Sequence, residues 1–290
     1  MLSFLKQKSD CVGCGACKAA CPVSCIEFKI DAEGFAYPEA NDKCINCDKC
    51  LKVCPVAHAH EKKAQKHEGY AAVSKDYSVW KKSASGGAFS ELCAAFGDEK
   101  TLICGAAWNG LSVEHICVEG VSEIAPLRKS KYVQSDTKDT YKQIKDRLSS
   151  GGKAIFCGTP CQVAGLKNYL GKDYENLLLI DFICHGVGSP KVFEECIKLV
   201  EKQFGKKIKS YGFRAKRKAH EVDHLTEYVF ENDKKTYFAG KDPYIKLFLS
   251  QNALRPCCGK NCAFRNEYRY GDVTIADFKG LTTVFPQLKY

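Results

Sequence analysis

The stretch CVGCGACKAACP (Cys11–Pro22) places four cysteines in the spacing C-x2-C-x2-C-x3-C-P, and CINCDKCLKVCP (Cys44–Pro55) repeats that spacing. Two short strand-like segments, CIEFKI (Cys25–Ile30) and GFAYPEA (Gly34–Ala40), lie between the copies. In loops of this kind three cysteines wrap one [4Fe-4S] cluster, and the fourth, before the proline, ligates the other cluster. The repeat therefore predicts an α+β ferredoxin-like domain with two clusters over residues 1–60.

The crossing of the fourth cysteine divides the eight predicted ligands into two sets. The first set is Cys11, Cys14, Cys17 and Cys54, and the second set is Cys44, Cys47, Cys50 and Cys21. Gly13 and Gly15 keep the first loop small enough to wrap tightly. Paired C-x2-C sequences also bind zinc, but the third cysteine and the C-P ending of both copies favour iron–sulfur clusters.

The chain has 290 residues, 19 cysteines and a formal net charge of +10. Its start has no apolar run that would serve as a signal peptide, and the longest apolar stretch, Leu177–Cys184, is too short to span a bilayer. A reducing, cytoplasmic location is therefore expected, where clustered cysteines indicate metal or redox sites. The positive charge suits a ferredoxin or another acidic redox protein as partner. No arginine-rich helix or aromatic-basic repeat is present, so neither nucleic acid nor membrane is a predicted partner.

The charged segment 61–68 is interpreted as a linker, and residues 69–290 as a second domain. In that domain buried strand-like runs, such as AIFCGTP (Ala154–Pro160) and LLLIDFICHG (177–186), alternate with amphipathic helical segments. This alternation is typical of a parallel α/β core. The predicted fold class is thus an α+β ferredoxin-like N-terminal domain followed by a mixed α/β catalytic domain.

Local sequence patterns predict further strands and a helix in the second domain. Tyr70–Val73 is predicted to be a strand, SYGFRAK, LTEYVFE and KTYFAG to be antiparallel strands, and Pro243–Leu249 to be a helix. Cys93, Cys104, Cys117 and Cys196 fall on apolar positions of predicted helices or strands, and we expect them to be packed as small apolar residues.

Three glycine-bearing turns stand where a predicted strand leads into a helix. Helix N-termini at the carboxyl edge of a parallel sheet favour phosphate groups, so a dinucleotide is the expected ligand. The candidate cofactor-binding residues in these turns are Ser85, Gly86, Gly87, Gly158, Thr159, Gln162 and Gly186. Neither GxGxxG after a first strand nor GxxxxGK[ST] occurs, so the sequence supports neither a standard nicotinamide-binding fold nor a P-loop.

Several motifs occur in the order found in one known family. They are SASGGAFS (Ser83–Ser90), SKYVQSD (Ser130–Asp136), GTPCQVAGLK (158–167), DFICHGVGSPKVF (181–193) and GDVTIADFKG (Gly271–Gly280). Together with the cysteine motifs they resemble the coenzyme F-420 hydrogenase/dehydrogenase beta-subunit family. The resemblance implies FAD in the α/β domain and iron–sulfur clusters that exchange electrons with it. In this chain RPCCGKNC stands where the family usually has C-x2-C after Arg-Pro, and the chain ends sooner after ADFKG than is common.

Candidate catalytic residues are His185, as a donor to the flavin ring or a proton shuttle, and Cys161, as a reactive thiol. A third cluster is an alternative role for Cys161 together with other late cysteines. These are Cys157, Cys184, Cys258 and Cys262, of which Cys157 and Cys184 can equally be strand core residues. Lys216–Lys218 is either a solvated turn or a site for a phosphate-bearing ligand, and Asp277 either touches the cofactor or ends a strand.

The sequence predicts an iron–sulfur flavoprotein oxidoreductase. It would pass electrons between a ferredoxin-type donor, two [4Fe-4S] clusters, FAD and a small organic two-electron acceptor, deazaflavin-like or of another kind. The oxygen sensitivity of such clusters points to an anaerobic host. Two alternatives remain open at this point: a non-autonomous electron-transfer subunit of a hydrogenase or formate dehydrogenase-type complex, and a flavin-free iron–sulfur binding module.

Overall fold

A computed structural model describes residues 1–59, 66–216, 225–265 and 267–278. Its helices are α1 (Ala16–Ala20), α2 (Lys49–Lys52), α3 (Tyr77–Lys82), α4 (Ala88–Phe96), α5 (Thr140–Ser149), α6 (Pro160–Leu170), α7 (Pro190–Phe204) and α8 (Pro243–Leu249). Its strands are β1 (Ile26–Ile30), β2 (Ala36–Ala40), β3 (Leu102–Asn109), β4 (Ser112–Glu119), β5 (Ala154–Cys157), β6 (Leu177–Phe182), β7 (Ser210–Ala215), β8 (Leu225–Val229), β9 (Lys234–Phe238) and β10 (Val273–Ile275).

The N-terminal unit is small and built around its cysteine loops. Strands β1 and β2 pair antiparallel between the two motifs, with Ile26 opposite Ala40. Their buried side chains form a small core with Leu2 and Leu5 from the start of the chain. Helices α1 and α2 each begin within a cysteine motif. A short hairpin and two short helices bury little apolar surface, so this unit depends on its neighbours for stability.

The centre of the second domain is a five-stranded sheet in the order β10-β6-β5-β3-β4. Strands β10, β6, β5 and β3 run parallel, and β4 pairs antiparallel with β3 at the edge. Apolar side chains cover both faces, as the apolar runs of β5 and of Leu177–Ile180 in β6 require. One face packs on α4, and the other packs on α5 and α6. The predicted mixed α/β architecture is therefore confirmed.

A three-stranded antiparallel sheet, β7-β8-β9, follows in the chain. It packs with α7 and α8 around an aromatic core that contains Phe193, Tyr211, Phe213, Tyr244 and Phe248. The predicted helix at Pro243–Leu249 is confirmed: the Asp242 carboxylate accepts a hydrogen bond from the Ile245 amide and caps it. A capping carboxylate followed by proline is a strong start signal, which explains why local pattern sufficed.

One expectation about this domain was wrong. Tyr70–Val73 is not a strand; these residues are exposed, and no strand in the described part of the chain pairs with them. Cys104 and Cys117 pack in the core as expected, and they also form a disulfide that the sequence did not predict. The antiparallel register places these two cysteines directly opposite each other, with their Cα atoms 4.1 Å apart. A pattern within one strand does not show what lies across from it.

The N-terminal unit contacts the second domain at several places, of which two involve helices α6 and α7. The first cysteine loop packs on α6, where Cys14 and Ala16 share a core with Leu166. The turn between β1 and β2 meets the start of α7, where the Ser189 hydroxyl donates to the Glu33 carbonyl oxygen at 2.5 Å. Among the described helices none is long and apolar enough to cross a membrane.

Candidate functional site

The first predicted ligand set surrounds one cavity. Cys11, Cys14, Cys17 and Cys54 all line the same cavity in the N-terminal unit. Its other walls are apolar and include Leu2, Phe4, Leu5 and Phe28. Cys54 comes from the second motif, so the structure brings together the cysteines that the crossing scheme assigns to the first cluster.

Residues of the second domain contact the first cysteine loop and hold its conformation. Gly13 and Gly15 have φ values of 68° and 81°, a region that strains any residue with a Cβ. A Cβ at Gly15 would also overlap the Thr137 hydroxyl, and that hydroxyl donates to the Cys14 carbonyl oxygen at 3.2 Å. Burial raises the pKa of the Cys14 thiol well above its ordinary value, which a bound metal must overcome to hold the thiolate.

The second predicted ligand set lies at the surface. Cys44 and Cys47 are exposed, whereas Cys50 and Cys21 are partly buried. Cys25 is outside the motif and is buried, and its sulfur lies 3.4 Å from that of Cys21. Within the described residues, no three His, Cys, Asp or Glu side chains form a group suited to a single metal ion.

A second sulfur-lined cavity lies in the second domain. It is lined by five cysteines: Cys161, Cys184, Cys257, Cys258 and Cys262. These cysteines come from three places along the chain: the start of α6, the loop after β6, and the segment 257–262. Val12 lines this cavity and also the first one, so the two sulfur-lined spaces are neighbours.

Helix α6 presents Cys161 at its first turn. Thr159 and Gln162 form a reciprocal capping box, and Pro160 occupies the first helical position. The Thr159 hydroxyl lies 3.1 Å from the Cys161 sulfur. The positive end of a helix dipole favours negative charge, so this position suits a thiolate ligand.

The loops that carry the other cysteines of the second cavity pack closely together because Gly186 has no side chain. A Cβ at Gly186 would lie 2.8 Å from a Leu254 methyl group and 3.1 Å from the Cys258 Cβ. Burial raises the pKa of Cys184 to about 12. A hydrogen bond from the Cys257 thiol lowers the pKa of Cys258 to about 7. The cavity thus holds one thiol that ionises easily among several that burial keeps protonated.

His185 lies at the same cavity, with its Nε2 atom 3.2 Å from the Phe248 carbonyl oxygen. Its ring also packs on the Phe248 ring at a centroid distance of 5.0 Å. The two candidate catalytic residues, His185 and Cys161, are therefore brought together at the second sulfur-lined cavity. Cys157 is not part of it and packs with the α4 side of the sheet.

Three candidate cofactor-binding residues are used within the protein itself. The Gly158 amide donates to the Ile180 carbonyl oxygen at 3.1 Å. The Gln162 side chain accepts from the Thr159 amide at 3.0 Å and donates to the Ser135 hydroxyl at 3.2 Å. Gly158, Thr159 and Gln162 thus build the start of α6.

The turn with Ser85, Gly86 and Gly87 lies beside a group of cations. The Lys216 ammonium donates to the Ser85 and Trp80 carbonyl oxygens, each at 2.7 Å, and lies 3.7 Å from the centroid of a Trp80 ring. Gly87 ends the turn as the N-cap of α4, at a φ of 97°. The other residues of the predicted Lys216–Lys218 site lie outside the described part of the chain.

Positive charge is concentrated around Lys216. Burial, with Arg214 and Lys129 nearby, lowers its pKa to about 8. Burial also lowers the pKa of Lys131 to about 8, and Lys129 contributes. The lowered pKa values of both lysines show that burial and the neighbouring cations disfavour their charged form. We refer to Lys129, Lys131, Arg214 and Lys216 as the basic group.

Arg214 is the buried member of the basic group, with 7% of its surface exposed. Its guanidinium pairs with Asp277, but within the described part of the chain its Nε and Nη2 atoms are buried without a hydrogen-bond partner. Sequence reasoning found Lys216 and Asp277 as candidates but missed Arg214, Lys129 and Lys131. The FRAK and SKY segments of the family-like motifs were the available signal, since they hold three of these cations.

Comparison with known proteins gives two matches along the chain. Residues 10–58 match the family described as 4Fe-4S dicluster domain. Residues 151–287 match the family described as the C terminus of the beta subunit of Coenzyme F420 hydrogenase/dehydrogenase. No curated protein matches the chain.

Among solved structures, the chain is similar to one from the xenon-derivatised F420-reducing [NiFe] hydrogenase complex of Methanosarcina barkeri. The sequence identity is 16%, the match covers 67% of this chain and 68% of that chain, and the TM-score is 0.41. The family matches indicate an oxidoreductase-type protein that contains iron–sulfur clusters and transfers electrons. Residues 151–287 are therefore similar to the C-terminal part of the coenzyme F420 hydrogenase/dehydrogenase beta subunit, and a match to a 4Fe-4S dicluster domain lies on their N-terminal side.

Proposed function

We propose that the chain is an iron–sulfur flavoprotein oxidoreductase. It passes electrons between a ferredoxin or another redox protein and a small organic molecule that takes up two electrons. The clusters supply one-electron transfer, and FAD supplies the exchange between single electrons and electron pairs. The observation that carries this proposal is the adjacency of two sulfur-lined cavities, which share Val12 as a common wall.

The first cavity suits a [4Fe-4S] cluster held by the first predicted set. Four cysteines line it, and its remaining walls are apolar, which limits the access of water. The glycine conformations of the loop leave its backbone free to close around a ligand. The second predicted set would hold the second cluster nearer to solvent, where a partner protein can approach.

The second cavity suits a third cluster. Cys161, Cys184, Cys258 and Cys262 are the ligands that we propose, because these four cysteines line the same cavity and come together from three separate parts of the chain. Cys257 would be the neighbour that donates to Cys258. This assignment gives Cys161 a ligand role in place of the reactive thiol considered from sequence.

The basic group suits the phosphates of FAD. Buried guanidinium N–H groups without partners lose hydrogen-bond energy that a phosphate oxygen would restore, and a planar guanidinium binds two oxygens at once. Lys216 already links this group to the Ser85 turn. Arg214, Lys216 and the Ser85–Gly87 turn are thus the residues that would hold the diphosphate.

The cofactor content of protein purified without oxygen tests the cluster assignments. We expect about twelve iron atoms and one flavin per chain, since each cluster holds four iron atoms. Cys14→Ala and Cys161→Ala should each lose about four iron atoms. Cys196→Ala, a buried free cysteine on α7, should lose none. Parent-level iron in Cys161→Ala would overturn the third cluster, and a flavin-free parent would overturn the flavin assignment.

The pH dependence of flavin binding tests the basic group. Lys131 and Lys216, with pKa values of about 8, are charged at pH 7 and largely neutral at pH 9. Binding of a diphosphate should therefore weaken as pH rises, by about tenfold for each lysine whose charge it requires. Lys216→Gln should weaken FAD binding at pH 7 and flatten this dependence, and exposed Lys202→Gln should do neither. Equal profiles for Lys216→Gln and the parent would contradict the assignment.

A further inference from the structure

Arg255 carries a positive charge into the interior next to the first cysteine loop. It is among the largest side chains of the protein with almost no exposure, at 1%. Its Nε atom donates to the Cys11 carbonyl oxygen at 2.8 Å, and its Nη1 atom donates to the Gln134 side-chain oxygen at 3.0 Å. Its Nη2 atom donates to the Ala36 carbonyl oxygen at 3.0 Å and to the Cys11 sulfur at 3.5 Å.

Aromatic rings and the glycine loop hold the guanidinium in place. Its central carbon lies 4.2 Å from the centroid of the Tyr37 ring and 5.5 Å from that of Phe35. A Cβ at Gly13 would lie 3.1 Å from the same carbon. The cation is therefore fixed in one position, and its described side-chain hydrogen bonds all go to the N-terminal unit and to Gln134.

The charge of Arg255 has no carboxylate partner. Within the described part of the chain its hydrogen-bond acceptors are two carbonyl oxygens, an amide oxygen and a sulfur atom, and no ion pair involves it. A buried charge is costly unless an opposite charge compensates it. The Cys11 sulfur is the acceptor that becomes negative when it binds metal.

We propose that Arg255 raises the reduction potential of the cluster held by Cys11, Cys14, Cys17 and Cys54. This inference rests on the proposed function, since it requires that cluster. Reduction adds one electron to the cluster, supplied by the redox partner, and makes and breaks no bond. A fixed positive charge at a ligand sulfur stabilises the more negative, reduced state, and the low-dielectric surroundings strengthen the effect.

The position of Arg255 also predicts which cluster responds most. Its side chain contacts Cys11 of the first cavity, while its backbone carbonyl oxygen accepts a hydrogen bond at 2.8 Å from the amide of Cys258, a residue that lines the second cavity. No described side-chain contact joins it to the surface set of Cys44, Cys47 and Cys50. The first cluster should therefore shift most and the surface cluster least.

An anaerobic redox titration of the holoprotein, followed by electron paramagnetic resonance, tests this inference. With dithionite as the reductant, Arg255→Gln should reduce the ratio of reduced to oxidised first cluster at a fixed potential by at least tenfold. For a one-electron couple this corresponds to 59 mV toward more negative values. Arg255→Lys keeps a charge and should shift much less. Lys198→Gln removes an exposed cation of α7 and should shift nothing.

A second variant leaves the arginine in place. Gln134→Glu puts a carboxylate where the amide now accepts from Arg255, so it should neutralise the charge and lower the potential of the first cluster in the same direction. This variant carries the test if Arg255→Gln fails to fold. Equal shifts in Arg255→Gln and Arg255→Lys would overturn the charge argument, and so would an unchanged potential in Gln134→Glu.

Iron content separates this inference from the proposed function. A parent protein without iron would overturn both. A parent with its full iron content, whose potential does not respond to Arg255→Gln or Gln134→Glu, would overturn the role of Arg255 and leave the proposed function standing.

Discussion

The two cysteine motifs adopt the same backbone conformation with different residues. In the first motif Gly13 and Gly15 have φ values of 68° and 81°. In the second motif the equivalent positions are Asn46 and Asp48, with φ values of 51° and 55°. Asparagine and aspartate tolerate this left-handed region better than other residues with side chains. The motif therefore requires a left-handed backbone at these two positions, and the local environment determines whether glycine or a residue with a side chain occupies them.

The surroundings of the two motifs differ in burial. Gly13 and Gly15 face Gln134, Arg255 and Thr137 of the second domain, so no side chain fits there. Asn46 and Asp48 are exposed, and a side chain meets no obstacle. The proposed ligands follow the same division: Cys11 and Cys14 are 7% and 6% exposed, whereas Cys44 and Cys47 lie at the surface. The first motif is part of the protein core, whereas the second motif is exposed to solvent.

Access of small molecules should distinguish the two motifs most strongly. We expect the cluster of the second motif to decay at least about tenfold faster than that of the first when the protein meets oxygen or a chelator, because attack follows exposure. Electron paramagnetic resonance of reduced samples taken over time measures each cluster. Equal decay rates, or faster loss of the buried cluster, would break the comparison.

A substitution in the loop of the first motif should destabilise the protein much more than one at the equivalent position of the second motif. Gly15→Ala should lower the free energy of unfolding by about 2 to 4 kcal/mol, because it adds a strained φ to an overlap with Thr137. Asp48→Gly should change it by less than about 0.5 kcal/mol. Anaerobic thermal unfolding followed by circular dichroism compares the two. A similar loss in both variants would show that burial is not what separates the motifs.

A single hydrogen bond gives the smallest effect. Thr137→Val leaves the buried Cys14 carbonyl oxygen without its donor and should cost about 1 to 2 kcal/mol. Ser150→Ala removes the same type of bond, from a hydroxyl to the Arg147 carbonyl oxygen at 2.8 Å, in an exposed position. Water replaces that bond, so the cost should stay below about 0.5 kcal/mol. The same unfolding measurement decides, and equal costs would count against the buried character of the first loop.

Elements with a strong local signal could be predicted from sequence. The run of β5 and the first four residues of β6 are apolar because both faces of the sheet are covered, and Ser189 before Pro190 gives α7 a clear start. Tyr70–Val73 has a similar local appearance, yet it lies exposed. A strand exists only with a partner, and the sequence of one segment does not reveal that partner.

The candidate sites show the same limit. The spacing of each cysteine motif predicts its own loop, and the first set indeed lines one cavity. The second cavity joins Cys161, Cys184 and Cys262, which are far apart in sequence, through the topology of the sheet. Arg214 and Arg255 were not identified from the sequence, because the sequence does not distinguish a buried arginine from an exposed one. Burial distinguishes both arginines from exposed ones, and burial is a property of the folded chain.

Arg255 has a consequence for how the protein is made. It is separated from Cys11 by 244 residues, so the N-terminal unit leaves the ribosome well before its cation exists. At about 5 to 20 residues per second this delay is on the order of ten seconds or more. Until then the Cys11 loop lacks the donors that hold it in the finished protein. Completion of the first cysteine site is therefore coupled to synthesis of nearly the whole chain, which delays its final assembly until the surface that shields it is present.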